Sequence, residues 1–131
     1  MKILPIYDTR KNKNIALKNS NNYYLITVKG NKRVNLKEFS KTNNTRHLSF
    51  ASDNDLMSIM GLIPGAVTPL GILNDSEHKV QFFIDKEFMN SPEIIGVHPN
   101  DNTATVWLET ADLIDIIKEH GNTIHIINII E

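Results

Sequence analysis

The sequence contains no cysteine, and aromatic residues make up only 7% of it. Without cysteine, the chain has no disulfide scaffold, no thiolate zinc site and no cysteine nucleophile. Glycine and proline are also few, with six and five among 131 residues, which argues against a fibrous or low-complexity chain. No apolar run reaches membrane-spanning length, and the first residues do not resemble a signal peptide. These absences predict one soluble globular domain over residues 1–131, located in the cytoplasm and without a membrane partner.

Common catalytic signatures are also missing. The chain has no glycine-rich phosphate loop ending in Lys-Ser or Lys-Thr, no dinucleotide fingerprint and no Gly-x-Ser-x-Gly elbow. Its five histidines do not share a helical i, i+4 face, and no carboxylate sits at a recognised metal-ligand offset. We therefore expect no cofactor and no metal site.

Charge is distributed unevenly along the chain, although the net charge is only −1. Residues 1–50 hold 11 of the 14 lysines and arginines but only Asp8 and Glu38, a net charge of +9. Residues 51–131 hold three lysines and 13 carboxylates, a net charge of −10. A basic half of a domain is typical of a protein that contacts a phosphate-rich partner such as nucleic acid. The alternative is that the two halves intermix in space and pair their charges across the fold.

Helix and strand patterns are interspersed without regular alternation, which predicts an α+β class, or α/β with a mixed sheet. The predicted strands cover residues 13–18, 23–29, 48–50, 80–84, 94–97 and 103–108, and residues 124–130 form an edge strand or a hydrophobic tail. Helices are indicated by N-caps and closing glycines, namely Asn35, the capping box of Ser52 and Asp55, Gly61, Thr110 and Gly121.

Two connecting segments have unusual compositions. Residues 61–71 include three glycines and two prolines, so their backbone amides are able to face a ligand. The alternative interpretation is a rigid surface turn, which the composition of this segment alone favours. In residues 96–102, Pro99 restrains His98 to an extended conformation and aims its ring. Taken alone, His98 fits a structural turn residue better than a catalytic or substrate-positioning one.

Four stretches in order along the chain closely resemble the YbaK/ProX family, and within it the prolyl-tRNA editing proteins of the PrdX (ProXp-ala) type. The stretches are Leu48-Ser49-Phe50-Ala51-Ser52, the run from Gly61 to Gly71, Asn74-Asp75 and the run from Val97 to Thr105. The resemblance extends from about Lys13 to Gly121. It implies a mixed, partly barrel-like sheet flanked by helices, and an enzyme that deacylates mischarged tRNA, chiefly alanine esterified to tRNA-Pro. The implied partners are mischarged tRNA-Pro and prolyl-tRNA synthetase.

The resemblance also assigns candidate site residues by matching motifs. The family's lysine segment Lys-Asn-Leu-Phe-Leu falls on Lys13-Asn14-Ile15-Ala16-Leu17, so Lys13 is the candidate catalytic lysine. The family's Gly-x-x-x-Pro loop falls on Gly65 to Pro69, and its loop histidine falls on His98. The resemblance therefore implies the catalytic residues Lys13, Gly65 and His98. The implied substrate-binding residues are Asn14, Pro64, Ala66, Val67, Thr68, Pro69 and Asn100.

In the family picture, water attacks the aminoacyl carbonyl, and the glycine loop positions that water or the developing oxyanion. The lysine holds the terminal phosphate and ribose. These roles suit an already activated ester, which needs orientation and electrostatic stabilisation more than a covalent nucleophile. Without the resemblance, Lys13 would be interpreted as a solvated strand lysine among other basic residues.

Two departures from the family pattern affect the expected activity. Only twelve residues precede Lys13, where family members carry roughly thirty or more. The first wall of the pocket is then missing, replaced by residues 1–7, or supplied by another subunit. Ala16 replaces the usual phenylalanine and removes bulk beside the lysine. The alternative function is therefore a non-catalytic tRNA-binding or synthetase-associated module on the same scaffold. A weaker alternative is a DNA-binding protein, for which no groove-reading helix is evident.

Overall fold

The computed structural model describes residues 3–4 (backbone only), 12–20, 22–30, 32–45, 48–63, 67–90, 93–97 and 106–131. Its strands, in chain order, are β1 (Ile3–Leu4), β2 (Asn12–Asn19), β3 (Asn22–Lys29), β4 (Ser49–Phe50), β5 (Val80–Asp85), β6 (Ile94–Val97), β7 (Val106–Glu109) and β8 (Ile124–Ile127). They form a five-stranded sheet in the order β4-β2-β3-β5-β8 and a three-stranded sheet in the order β1-β7-β6.

The five-stranded sheet is mixed. Its antiparallel part is the β2–β3 hairpin with β4 added to β2, and its parallel part is β3 with β5 and β5 with β8. The hairpin keeps an unbroken register from Asn12 opposite Lys29 to Asn19 opposite Asn22. The expected α+β class with a mixed sheet is confirmed, and this sheet remains open instead of closing into a barrel.

The central strands are buried on both faces, so their sequences are almost continuously apolar. One core lies between one face of the five-stranded sheet, the three-stranded sheet and the C-terminal helix, and includes Leu25, Phe82, Leu108 and Leu113. A second core covers the opposite face and includes Ile15, Leu17, Val28, Phe39 and Phe83. Side chains from alternate positions of one strand therefore enter two different cores.

The helices are α1 (Leu36–Thr42), α2 (Asp53–Asp55, continued by a π-helical turn over Leu56–Met60) and α3 (Thr110–His120). Two 3₁₀ helices cover Pro69–Asn74 and Lys86–Met89. The predicted caps at Asn35 and Ser52 are confirmed, because each side-chain oxygen accepts a backbone N–H three residues later. Gly61 and Gly121 end their helices with positive φ angles of 63° and 107°. Among the described helices, none is long and apolar enough to cross a membrane.

Two details of the prediction differ from the structure. Thr110 is not an N-cap, because Glu109 occupies that position and the buried Thr110 hydroxyl instead donates to the Phe88 carbonyl oxygen at 2.9 Å. The end of the predicted 61–71 loop belongs to the 3₁₀ helix over Pro69–Asn74. The strand predicted over residues 103–108 is observed from Val106, and residues 103–105 lie outside the described residues. The C-terminal edge strand is confirmed, although β8 covers only Ile124–Ile127.

Candidate functional site

The first residues of β2 connect the five-stranded sheet to both segments that the sequence analysis selected. Asn14 Nδ2 donates to the Val67 carbonyl oxygen at 3.1 Å, in the segment with the candidate glycine loop. Asn12 Nδ2 donates to the Gly96 carbonyl oxygen at 2.7 Å, two residues before His98 in the chain. The two asparagines lie on the same face of β2, because strand side chains alternate. One strand therefore contacts the two segments through side chains that are two residues apart.

A buried threonine fixes the orientation of Asn14. The two residues are cross-strand partners in the hairpin, and Thr27 Oγ1 donates to Asn14 Oδ1 at 2.6 Å. Thr27 is only 1% exposed. Because the Asn14 oxygen accepts from Thr27, its amide nitrogen is directed to Val67. Asn14 is thus held by protein contacts at both ends of its amide.

Lys13 leaves β2 on the opposite face from Asn14. It is the cross-strand partner of Val28 and shares its face with Ile15 and Leu17, which belong to the second core. Lys13 is exposed. The structure therefore brings Asn14 and Val67 together and places Lys13 at the solvent-exposed margin on the other side of the same strand.

The described end of the glycine loop is buried and structural. Thr68 is fully buried and caps the 3₁₀ helix, with its Oγ1 accepting from Leu70 N at 3.4 Å. Pro69 is buried at the first position of that helix, where its lack of an N–H has no cost. Thr68 and Pro69 thus fix the exit of the loop. Three other candidates of this loop, Pro64, Gly65 and Ala66, lie outside the described residues, as do His98 and Asn100.

Some of the basic residues of the first fifty pair with carboxylates of the remaining chain. Lys18 Nζ lies 3.1 Å from Asp55 Oδ2, and Lys32 Nζ lies 2.7 Å from the buried Asp85 Oδ2 and 3.4 Å from Glu87 Oε2. Part of the charge asymmetry is therefore cancelled across the fold, as the alternative interpretation expected. The cations that remain exposed include Lys13, Arg33, Lys37 and Lys41.

These contacts also shift two pKa values. Hydrogen bonds from the Ser52 backbone N–H and hydroxyl, together with Lys18, lower the pKa of Asp55 to about 2. Burial acts to lower the pKa of Lys32, but the hydrogen bond and charge of Asp85, aided by Glu87, raise it overall. Asp55 and Lys32 are consequently ionised at neutral pH.

A cavity of about 320 Å³ lies away from the β2 contacts. It is lined by α1 and the C-terminal segment, including Phe39, Thr42, Ile127 and Ile130. None of the candidate site residues lines it. Over the same described residues, no group of three or more His, Asp or Glu side chains is arranged to hold a metal ion.

Comparison with known proteins gives the same family as the sequence motifs. The family model described as an aminoacyl-tRNA editing domain matches residues 2–116 of the chain. This chain belongs to that family. The chain is 37% identical over 113 residues to prolyl-tRNA editing protein ProX of Acetoanaerobium sticklandii, covering 85% of this chain and 68% of that protein. It is 30% identical over 121 residues to the mouse prolyl-tRNA synthetase associated domain-containing protein 1, covering 88% of this chain and 71% of that protein.

Solved structures show the same fold at low sequence identity. A candidate trans-editing enzyme for prolyl-tRNA synthetase superposes on this chain with a TM-score of 0.73 at 16% identity, covering 92% of this chain and 69% of that one. A scaffold protein from a study of epitope backbone grafting by computational design superposes with a TM-score of 0.74 at 18% identity, covering 92% and 70%.

Two residues of this site were not predicted from the sequence. Asn12 lies outside the family motif, and Thr27 lies in a strand whose sequence is typical of the hydrophobic core. A sequence signal exists for Asn12, because it immediately precedes the predicted strand over residues 13–18 and is a polar residue two positions before Asn14. Extending the strand by one residue places both on the face that carries Ala16 into the first core. Nothing in the sequence indicates which backbone groups they bind, because Gly96 and Val67 lie 84 and 53 residues away.

Proposed function

We propose that this protein is a trans-editing aminoacyl-tRNA deacylase that hydrolyses mischarged tRNA-Pro, with Ala-tRNA-Pro as its substrate. The observation that carries the proposal is the family match over residues 2–116, together with 37% identity to a protein named for prolyl-tRNA editing. We also propose prolyl-tRNA synthetase as a partner, as the names of the mouse relative and of the solved structure suggest. The site of action is then the compartment of translation, which we take to be the cytoplasm.

In the proposed reaction, water adds to the carbonyl carbon of the aminoacyl ester, and the bond to the ribose oxygen breaks. The products are the free amino acid and a tRNA with a free 3′-terminal hydroxyl. The backbone amides around Gly65 stabilise the oxyanion that forms, and His98 orients the ester or the water. The hydrogen bond from Asn14 to Val67 supports this assignment, since it fixes the exit of the loop. We assign Pro64, Ala66 and Asn100 to the walls of the same pocket, and the buried Thr68 and Pro69 to holding the exit of the loop in place.

Lys13 is proposed to hold the terminal phosphate of the tRNA. Its exposed position, on the face of β2 opposite Asn14, suits contact with the nucleic-acid backbone better than contact with the ester carbonyl. A lysine ammonium is a flexible point charge that binds phosphate without demanding a fixed geometry. Lys13 then contributes by fixing the end of the tRNA against the strand that holds the loop.

The proposal is tested by incubating the protein with tRNA-Pro charged with alanine, cysteine or proline and measuring the loss of each ester. We expect alanine to be released far faster than proline. Release of cysteine instead of alanine would contradict the substrate assignment. Binding of tRNA without release of any amino acid would favour the non-catalytic tRNA-binding module.

A further inference from the structure

We propose that Asn12 is a positioning residue of the editing reaction, which together with Asn14 sets the distance between the segment ending at Val97 and the segment beginning at Val67. This inference rests on the proposed function. It concerns a residue outside the lysine motif that the family resemblance identifies.

The geometry of the hairpin makes these two asparagines a rigid pair. The register of β2 with β3 is unbroken, so Asn12 and Asn14 are separated by two strand residues, or roughly 7 Å. Their backbones lie in an antiparallel ladder opposite Lys29 and Thr27. Each side chain then needs only two torsion angles to be fixed, which a single hydrogen bond to the neighbouring segment achieves at low entropic cost.

The acceptor of Asn12 is the Gly96 carbonyl oxygen on β6, a strand that has a neighbouring strand on one side only within the described residues. β6 pairs with β7 and is the last strand of the three-stranded sheet within the described part of the chain. Carbonyl groups that point away from β7 therefore need donors from outside that sheet. The Asn12 amide donates to Gly96 O at 2.7 Å and thereby links β6 to the five-stranded sheet.

The two links hold both candidate segments on the same strand. Gly96 precedes His98 by two residues, and Val67 follows Gly65 by two residues. If the reaction needs groups from both segments, their separation must be held to a fraction of an ångström, because a displacement of about 1 Å costs on the order of 100-fold in rate. Asn14 has a second anchor in Thr27. Asn12 therefore holds the Gly96 segment to β2, as Asn14 holds the Val67 segment.

The decisive variant is Asn12→Asp, which keeps the shape of the side chain but replaces the amide donor with a carboxylate that cannot donate to Gly96 O. Asn12→Ala removes the side chain without adding charge. Asn22→Asp is the matched control, since it makes the same change at an exposed position of the same hairpin. For each variant, kcat and KM on Ala-tRNA-Pro and the melting temperature are measured.

We expect both Asn12 variants to lower kcat by on the order of 10- to 100-fold, with KM changed less than threefold and a melting temperature close to that of the Asn22→Asp control. Equal kcat values for Asn12→Asp, Asn12→Ala and the control would overturn the proposal. So would a fall in kcat that is matched by partial unfolding at the assay temperature, because this would show a structural role only.

A double variant tests whether the two links act together. If Asn12 and Asn14 jointly set one distance, Asn12→Ala with Asn14→Ala should lower kcat by less than the product of the single effects. Full multiplicative loss would show two independent contributions and would contradict the shared role.

Hydrogen exchange separates this inference from the proposed function. Removal of the link should accelerate amide exchange in the peptide covering residues 94–97 and leave residues 80–85 unchanged, with no such change in Asn22→Asp. If the parent protein hydrolyses no ester but shows this exchange pattern, the proposed function fails and the link is supported. Unchanged exchange at residues 94–97 overturns the link whatever the activity.

Discussion

The pairing of Lys32 with Asp85 predicts that basic residues of the first fifty divide into structural and tRNA-binding groups. Asp85 is 1% exposed and accepts from the backbone N–H groups of Lys29 and Glu87, both at 3.0 Å, as well as from Lys32 Nζ at 2.7 Å. Lys32→Ala removes the only side-chain cation among the described partners of this carboxylate. Lys37→Ala removes an exposed lysine of α1 instead and serves as the comparison.

The expected loss of stability follows from the burial of the pair. Removing one partner of a fully buried ion pair costs about 3–5 kcal/mol. Lys32 remains 24% exposed and Asp85 keeps two backbone donors, so we expect a smaller loss, about 2 kcal/mol. An unfolding entropy of about 0.28 kcal/mol/K for a chain of this length converts that loss to about 7 °C in Tm. Lys37→Ala should change Tm by less than about 2 °C.

In a tRNA-binding assay, we expect Lys37→Ala to have a larger effect than Lys32→Ala, the reverse of their order in stability. Lys37→Ala should weaken tRNA binding and reduce the slope of log affinity against log salt by about one, because one phosphate contact is lost. Lys32→Ala should leave that slope unchanged, since its ammonium is already paired. Calorimetry or thermal denaturation gives Tm, and a salt titration of tRNA binding gives the slope. A Lys32→Ala protein with unchanged Tm and a reduced slope would refute this division.

Three further predictions concern the proposed site and its supports. Lys13→Ala should lower the rate of Ala-tRNA-Pro hydrolysis on the order of 100-fold without a change in Tm, because loss of the phosphate contact misplaces the ester. Lys13→Arg should recover much of the loss if charge alone matters. An unchanged rate in Lys13→Ala would show a solvated lysine. Asp55 has a folded pKa of about 2, below its ordinary value, so its contribution to stability is present above about pH 4 and lost as the pH falls towards 2. Tm should therefore fall more steeply over that pH range in the parent than in Asp55→Asn. Parallel curves of Tm against pH would contradict this contribution of Asp55. Gly71→Ala should lower the free energy of unfolding by about 1–3 kcal/mol, because a Cβ there would lie 2.7 Å from the buried Leu62 side chain. Denaturant titration measures this loss. An unchanged midpoint would show that Leu62 moves away freely.

Local sequence signals were sufficient wherever the cause of the structure is local. The hairpin of β2 and β3, the Asn35 cap and the Ser52–Asp55 capping box depend on residues close together in the chain, and all are present. Thr110 shows the limit of such signals, because the helix has Glu109 at its N-cap and the Thr110 hydroxyl donates to a tertiary acceptor, the Phe88 carbonyl oxygen. The family was also recognisable from the chain alone, since its motifs occur in order over most of the sequence.

Only the tertiary structure decided what the side chains on each face of a strand bind. Strand alternation separates the neighbours Lys13 and Asn14, so the residue of the motif that contacts the loop segment is the asparagine. The tertiary structure also decided which charges pair, because Lys32 and Asp85, 53 residues apart in the sequence, form an ion pair. The link from Asn12 to Gly96 spans 84 residues. The sequence by itself determined the elements and the family, because those depend on local patterns and ordered motifs, whereas these long-range hydrogen bonds depend on how the sheets pack.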